Sequence, residues 1–150
     1  MRGWLLDTNV LSELGRPRGD DRVVAWAAAQ PERTMFISVL NLAEYDKGIA
    51  NLPDDAPNRG RLEATLAALE LRFKARVLSV SDSTVRRWGR LSGQIKRRSG
   101  RSPPVIDTLL AATAIENDLH LATRNVKDVA GTGASVFDPW RDDPARFPII

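Results

Sequence analysis

Short apolar runs alternate with helix-forming segments along the chain, and this alternation restricts the fold more than any other feature. The runs are too short for helices, and several end at a residue that caps helices well. The predicted strands are residues 1–6, 35–37, 77–80, 119–122 and 135–137. Strands that alternate with helices in this way predict an α/β domain with a mostly parallel sheet flanked by helices.

Six segments with helical periodicity or helix caps predict the helices. They are residues 9–14, 22–30, 38–51, 61–74, 81–99 and 107–117. Residues 52–60 hold two prolines, two aspartates, Asn and Gly, and are predicted to form a loop. We expect residues 1–140 to form one domain and residues 141–150 a C-terminal tail that lies over the surface or frays.

The composition excludes several classes of protein. With 150 residues the chain can bury one hydrophobic core, and without cysteine it holds no disulfide and no thiolate metal site. No apolar run approaches the roughly 18 residues of a membrane span, and the N-terminus lacks a signal-peptide pattern. These features predict a cytoplasmic protein. The net charge of +3 is small, so overall charge says little about binding to nucleic acid.

Four acidic residues stand where strands or helices are predicted to begin or end: Asp7, Glu44, Asp107 and Asp128. Carboxylates that a fold gathers repel one another, so a site of this kind usually holds a hard divalent cation. Asp7 directly follows the first strand, where sites form in parallel α/β sheets, although a capping role fits it equally. Convergence of the four would point to phosphodiester chemistry.

Glu44 is predicted to lie on one face of its helix together with Asn41 and Gly48, which are three residues before and four after it. The opposite strip, with Leu42, Tyr45 and Ile49, would face the core. A glycine inside a helix costs roughly 1 kcal/mol relative to alanine, so Gly48 indicates close approach by a backbone or by substrate. The alternative for Glu44 is an ordinary solvated side chain.

Asp107 begins a helix that is apolar nearly all round and therefore buried, which places its carboxylate at the rim of the core. Capping of the helix is the alternative role. Near the end of the chain, Asn125 and Asp128 follow a strand in a loop that would orient water or a phosphate, or simply close a turn. The single histidine, His120, sits in an apolar strand, which favours a core or edge position over catalysis.

The helix at residues 81–99 and its exit are rich in arginine. Arg86, Arg90 and Arg97 are four and seven residues apart and align along one side, and Arg101 follows the helix. A solvated charged face is one reading. The other is an RNA-binding strip that holds phosphates through counterion release without sequence specificity.

Several of these motifs together resemble the PIN domain, and more narrowly the VapC and FitB-like toxin ribonucleases of bacterial type II toxin–antitoxin pairs. The resemblance spans roughly residues 3–140. The matching segments are residues 6–9, 43–44, 107–114 and 122–125, with residues 23–26 and 136–140 similar to the FitB-like branch.

The resemblance implies a three-layer α/β/α fold with a central parallel sheet, and RNA hydrolysis that depends on Mg²⁺ or Mn²⁺. The acids implied as metal ligands and catalytic residues are Asp7, Glu44 and Asp107. Supporting groups are implied at Thr8, Asn9 and Thr123. The family's fourth acidic position falls at Asn125, which leaves open whether Asn125 or Asp128 completes the site and whether one or two ions bind.

The resemblance also implies a homodimer and a cognate antitoxin that blocks the site. Tyr45, Trp88 and Leu91 would lie in an interface or in the core. The sequence therefore predicts a metal-dependent endoribonuclease toxin whose RNA substrate it does not specify. Phosphotransfer of the haloacid-dehalogenase type needs an aspartate where this chain has Asn9, so that class is rejected. A catalytically weak PIN-like module that binds RNA or an antitoxin without cleaving is the alternative function.

Overall fold

The computed structural model describes residues 1–150, and five short parallel strands form its central sheet. The strands are β1 (Trp4–Leu6), β2 (Met35–Ser38), β3 (Val77–Leu78), β4 (His120–Ala122) and β5 (Val136–Phe137). Their order across the sheet is β3-β2-β1-β4-β5, and every neighbouring pair is parallel. The chain moves outward from β1 to β3 and then resumes on the other side of β1. This reversal creates the crevice at the carboxyl ends of β1 and β4 where ligands bind in such sheets.

Six helices cover the two faces of the sheet. They are α1 (Thr8–Leu14), α2 (Asp21–Ala29), α3 (Val39–Ala50), α4 (Arg59–Arg72), α5 (Asp82–Ser99) and α6 (Val105–Glu116). The chain also contains three short 3₁₀ turns, at Glu32–Thr34, Val126–Val129 and Pro144–Arg146. No helix has the length and apolar character needed to cross a membrane.

The side chains of β1 alternate between two hydrophobic clusters, one on each face of the sheet. Trp4 and Leu6 pack with Val10 and Val23 of α1 and α2. Leu5 points the other way and packs with residues of α6 that include Leu110. Since successive strand residues face opposite sides, helices on both faces produce the predicted three-layer α/β/α architecture.

The C-terminal tail is packed against the domain. Phe147 places its ring 5.0 Å from Phe137 and 5.4 Å from His120, measured between centroids. His120 itself is buried, with its Nε2 atom 3.0 Å from the Pro148 carbonyl oxygen and its Nδ1 atom 2.6 Å from the Ser135 hydroxyl. Burial lowers the pKa of His120, which keeps the ring neutral at neutral pH. The predicted core position of His120 is confirmed, and the tail covers the surface.

Some predicted boundaries are wrong. Helix α6 begins at Val105, two residues before Asp107, because Pro104 takes the N-cap position and its carbonyl accepts from both the N–H and the hydroxyl of Thr108. Strand β3 ends at Leu78, and α4 begins at Arg59 inside the predicted loop. Asp107 consequently lies in the first turn of α6.

Candidate metal centre at the carboxyl edge of the sheet

Polar residues meet at the ends of the three central strands. The pairing of Leu6 with Ala122 makes Asp7 and Thr123 the next residues of adjacent strands. The Asp7 N–H donates to the Ala122 carbonyl at 2.9 Å and fixes this register beyond the last paired residues. On the other side of β1, the register places Ser38 level with Asp7. The β1 aspartate therefore stands in the middle of the carboxyl edge.

Asp7 is buried and its two carboxylate oxygens are held by three groups. Oδ1 accepts from the Thr8 N–H at 2.7 Å, and Oδ2 accepts from the Thr123 hydroxyl at 2.7 Å and from Asn9 Nδ2 at 3.3 Å. Burial raises the pKa of Asp7, and these hydrogen bonds partly offset the rise. Asp7 both caps α1 and stands at the candidate site, so the two roles that the sequence suggests coincide.

Glu44 is connected to the same edge through Thr8. The Thr8 hydroxyl donates to Glu44 Oε1 at 2.7 Å and accepts from Asn41 Nδ2 at 3.0 Å. The Asn41 Oδ1 atom accepts from the Ser38 N–H at 2.7 Å, which closes a capping box at the start of α3. Burial raises the pKa of Glu44, with the charge of Asp7 adding to the rise. A continuous chain of hydrogen bonds thus fixes the glutamate.

Asp107 has the largest shift among these carboxyl groups, with its pKa raised to about 6. Burial is the main cause, followed by the negative charges of Asp7, Asp128 and Glu44. Three acids can raise the pKa of a fourth only if they face the same region of space. Asp107 therefore lies within the field of the other three acids, although the four side chains do not close around one point.

The carboxylate oxygens of the four acids suit a divalent cation, but they do not surround a single point. No group of three His, Cys, Asp or Glu side chains stands close enough to hold an ion together. None of the four acids forms a salt bridge with Lys or Arg, and only the more distant charge of Lys47 lowers the pKa of Glu44. Mg²⁺ prefers oxygen ligands and needs only one or two direct carboxylates because it keeps several waters. The oxygen-only, anionic set fits such an ion.

Of the predicted supporting residues, four belong to the hydrogen-bond network of Asp7 and Glu44, and Asp128 lies outside it. Thr8, Asn9 and Thr123 lie within the hydrogen-bond network of Asp7 and Glu44. Asn125 enters this network through its backbone N–H, which donates to the Thr123 hydroxyl at 3.0 Å, while its side chain is exposed. Asp128 is exposed in the 3₁₀ turn Val126–Val129 and interacts with Asp107. Asn125 thus joins the network through its backbone alone, whereas Asp128 acts on Asp107 through its charge.

The arginine strip on α5 is not joined to the acids. Arg86, Arg90, Arg97 and Arg101 are exposed, and no side-chain hydrogen bond or salt bridge links them to the site. Their neighbour Arg87 pairs with Glu116 of α6. RNA contact by the strip stays a prediction. Of the predicted interface residues, Tyr45 is buried, and Trp88 and Leu91 are half-buried.

Gly48 does not mark the approach of another backbone. A Cβ atom built at this position meets nothing within 4 Å, so that part of the expectation is wrong. Gly48 instead lines an open cavity beside Glu44.

Two features of the site lie outside the sequence prediction. The sequence places Asn41 beside Glu44 but does not show that Asn41 orients the Thr8 hydroxyl. A cavity of about 630 Å³ also opens beside Asp128, between the turn at Val126–Val129 and the start of the tail. It is lined by Arg124, Asn125, Val126, Lys127, Asp128, Asp138, Arg141 and Asp142. No local signal connects these two segments, because only the pairing of β4 with β5 brings them together.

The chain belongs to the PIN domain family, whose sequence pattern it matches over residues 4–127. It is 31% identical over 141 residues to Toxin FitB of Neisseria gonorrhoeae (strain ATCC 700825 / FA 1090), covering 92% of this chain and 99% of that protein. It is 34% identical over 140 residues to VapC ribonuclease Y4jK of Sinorhizobium fredii (strain NBRC 101917 / NGR234), covering 91% and 96% respectively. The resemblance to VapC and FitB-like toxins is confirmed.

Solved structures of such toxins share the fold. FitAB bound to an IR36 DNA fragment superposes with a TM-score of 0.81 at 28% identity, covering 93% of this chain and 97% of that chain. FitAcB from Neisseria gonorrhoeae gives a TM-score of 0.80 at 29% identity, covering 91% and 98%. In both comparisons the similarity extends over nearly the whole length of this chain and of the matched chain.

Proposed function

We propose that this protein is a metal-dependent endoribonuclease and the toxin of a type II toxin–antitoxin pair. The observation that carries the proposal is the hydrogen-bond network through Thr8 and Thr123 that holds Asp7 and Glu44 at the carboxyl edge of the sheet, where neither acid forms a salt bridge. The similarity to a toxin and to a VapC ribonuclease supports the same conclusion. Asp7, Glu44 and Asp107 are the proposed ligands of Mg²⁺ or Mn²⁺, with Asp128 beside them.

The ion, when bound, would make a water molecule easier to deprotonate and would offset the negative charge that develops during attack on phosphorus. The chain's own contribution is positioning. The Thr8 N–H and the Thr123 hydroxyl hold the two oxygens of Asp7, so its carboxylate cannot rotate freely. The Thr8 hydroxyl directs one oxygen of Glu44 and leaves the other, Oε2, without a hydrogen bond within the protein. The sole histidine is buried under the tail and takes no part.

The proposed partners follow from the relatives. Solved structures similar to this chain include FitAB bound to an IR36 DNA fragment and VapBC-5 from Mycobacterium tuberculosis, a member of the VapBC family of toxin–antitoxin systems. We propose that this chain pairs with a cognate antitoxin, that it forms a homodimer and that it acts on RNA in the cytoplasm.

A second function is favoured by one observation. Because no three of the acids stand close enough to hold an ion jointly, a module that binds RNA or an antitoxin without cleaving is also consistent with the geometry. Such a module would be indifferent to metal and to loss of a single carboxylate.

The test is cleavage of a total RNA pool by antitoxin-free protein in Mn²⁺, Mg²⁺ or EDTA. We compare wild type with Glu44→Gln and with Asp46→Asn, an exposed aspartate on the same helix that serves as the control. Discrete cuts that require metal, persist in Asp46→Asn and disappear in Glu44→Gln would support the nuclease. RNA binding without cleavage in all three proteins would instead support the binding module.

A further inference from the structure

Arg124 stacks on Trp140 directly beside the acidic centre. Its guanidinium carbon lies 4.9 Å from the centroid of the Trp140 ring. Arg124 follows Thr123, whose hydroxyl holds Asp7, and its own N–H donates to the Asn9 side chain at 3.3 Å. Trp140 packs against the hydrophobic cluster of the core and gives the arginine a fixed surface. The contact therefore ties the arginine at the end of β4 to the turn that follows β5.

Arg124 differs from the other arginines that stack on aromatic rings in this protein. The other three, Arg2, Arg72 and Arg76, each also donate to an oxygen atom of the chain. The Arg124 guanidinium forms no salt bridge and no hydrogen bond within the protein. Its planar face is held by the indole ring, while its N–H donors stay available for a ligand.

The cavity of about 630 Å³ beside Asp128 is lined by cationic side chains that have no ionic partner. They are Arg124, Lys127 and Arg141. A further cation, Arg22, reaches the rim, where its guanidinium donates to the carbonyl oxygens of Arg141 at 3.2 Å and Asp142 at 3.3 Å. Positive side chains from three separate segments thus gather beside the proposed metal centre.

The acids of the same cavity form no ion pair with these cations. Asp142 Oδ2 accepts from the Asp138 N–H at 2.8 Å, and Asp138 Oδ1 accepts from the Trp140 N–H at 2.9 Å. These contacts close the turn that carries Trp140. Asp128 acts on Asp107 of the metal centre instead. The unpaired cations therefore border a free space in which a phosphate group, the anion that guanidinium groups bind well, can be held.

We propose that Arg124 binds a non-scissile backbone phosphate of the RNA and that Trp140 positions its guanidinium for this contact. This role rests on the proposed nuclease function and adds a substrate-binding residue to it. A guanidinium presents a planar fork of donors to two phosphate oxygens, and a ring stacked on it fixes the plane of that fork. Contacts to the backbone secure the position of a strand without reading its sequence.

The test measures how the affinity for RNA depends on salt. For single strands, the slope of log affinity against log salt changes by about 0.7 for each phosphate that the protein neutralises. Full-length protein in EDTA is titrated with a fluorescent single-stranded oligouridylate over a range of KCl concentrations. The variants are Arg124→Gln, Trp140→Leu, which keeps apolar packing without a ring, and Trp140→Phe, which keeps a ring. Arg61→Gln on α4, another exposed arginine without a salt bridge, is the control.

Arg124→Gln is expected to bind about fivefold more weakly near 0.1 M KCl, with a slope shallower by about 0.7. Trp140→Leu is expected to weaken binding about two- to fivefold, the effect of one exposed cation–π contact. Trp140→Phe and Arg61→Gln should both bind nearly as wild type does. Trp140→Leu should have no further effect in the Arg124→Gln background, because a positioning residue acts through the arginine. Thermal unfolding checks that each variant is folded.

Three results would overturn these assignments. Equal affinity and equal salt slope in Arg124→Gln and Arg61→Gln would remove Arg124 from the RNA contact. A loss in Trp140→Leu that persists in the Arg124→Gln background would mean that Trp140 does not act by positioning Arg124. Displacement of the oligouridylate by inorganic phosphate at constant ionic strength would show that the cavity takes free phosphate rather than the RNA backbone.

The proposed function and the role of Arg124 fail in different ways. Wild-type protein that makes no metal-dependent cut contradicts the nuclease itself. If wild type does cut, Arg124→Gln is expected to raise KM and to keep kcat, because a contact with a non-scissile phosphate is lost equally from bound substrate and transition state. Cleavage by wild type with KM and salt slope unchanged in Arg124→Gln contradicts only the role of Arg124.

Discussion

The Thr8 hydroxyl stands between Asn41 and Glu44, accepting from the Asn41 amide at 3.0 Å and donating to the Glu44 carboxylate at 2.7 Å. Because the amide donates to the hydroxyl oxygen, the hydroxyl proton is free to point at Glu44. One threonine thus links the cap of α3 to a proposed metal ligand, while its own N–H holds Asp7. The geometry of two acids depends on this residue.

Thr8→Val is expected to weaken metal binding without unfolding the protein. Valine keeps the shape and the backbone N–H but removes the hydroxyl that directs Glu44. Loss of a group that orients a metal ligand typically costs about 10- to 100-fold in metal affinity or activity. Calorimetric titration with Mn²⁺ measures the effect, and Thr8→Ser, which restores a hydroxyl, is the control. Wild-type affinity in Thr8→Val would show that the contact is incidental.

Asp107→Asn is expected to stabilise the metal-free protein at neutral pH. The folded-state pKa of Asp107 is raised from 3.8 to about 6, so the folded chain binds a proton more tightly than the unfolded chain does. The resulting stability is present below pH 3.8 and is lost as the pH rises through about 6. In EDTA at pH 7.5 the variant should therefore have a higher Tm than wild type, and the difference should shrink as the pH falls towards 4.

Asp82→Asn is the matched control for Asp107→Asn, because Asp82 also lies in the first turn of a helix but stands on α5. Asp82→Asn removes the same favourable interaction between a carboxylate and a helix N-terminus. Unlike Asp107→Asn, it does not also remove repulsion from neighbouring acids. A lower Tm for Asp107→Asn than for wild type at pH 7.5 would contradict the electrostatic description of the site.

Glu32→Gln is expected to lower the free energy of unfolding by no more than about 1 kcal/mol, because the ion pairs of Glu32 with Arg72 and Arg76 are exposed. Glu32 accepts from Arg72 at 2.8 and 3.0 Å and from Arg76 at 3.0 Å, and hydrogen bonds from Arg72 lead the effects that lower its pKa to about 2. The stabilisation is present above the ordinary pKa of 4.5 and is lost as the pH falls towards 2.

Tm measured as a function of pH for wild type and Glu32→Gln checks this. Glu63→Gln, which breaks the single pair between Glu63 and Arg59 on α4, serves as the comparison. A difference between wild type and Glu32→Gln that stays constant below pH 4.5 would rule out the ionic contribution.

Phe147→Ala is expected to lower the free energy of unfolding by about 2–3 kcal/mol, somewhat less than for a fully buried phenylalanine. Its ring contacts Phe137 and His120, and it packs against the larger hydrophobic cluster. Urea unfolding measures the change, and Arg146→Ala, an exposed neighbour, should be nearly neutral. An unchanged free energy would mean that residues 141–150 act as the detached tail that the sequence also allows.

Local signals predicted the position of Asp7 because a strand end and a helix cap are both encoded in adjacent residues. The same holds for Ser38, which directly follows the apolar run 35–37 and caps α3. The alternation of apolar runs likewise predicted the parallel sheet, since each connection must return to the same edge.

Other parts of the site depend on contacts that no local pattern encodes. Thr8 meets Asn41 and Glu44 across 33 and 36 positions of sequence. Whether Asn125 or Asp128 completes the site depends on how the turn at Val126–Val129 projects from the sheet, which spacing alone leaves open. The open space around Gly48 is similarly a property of how α3 packs beside α6.

Direct binding of Mn²⁺ tests the central claim that the gathered acids form a metal centre. Calorimetric titration of antitoxin-free protein at pH 7.5 compares wild type with Asp107→Asn and with the exposed control Asp46→Asn. The predicted result is binding of equal strength in wild type and Asp46→Asn, with affinity roughly tenfold or more weaker in Asp107→Asn, a loss of about 1.4 kcal/mol or more. Wild type that binds no Mn²⁺, or equal affinity in all three proteins, would contradict the account.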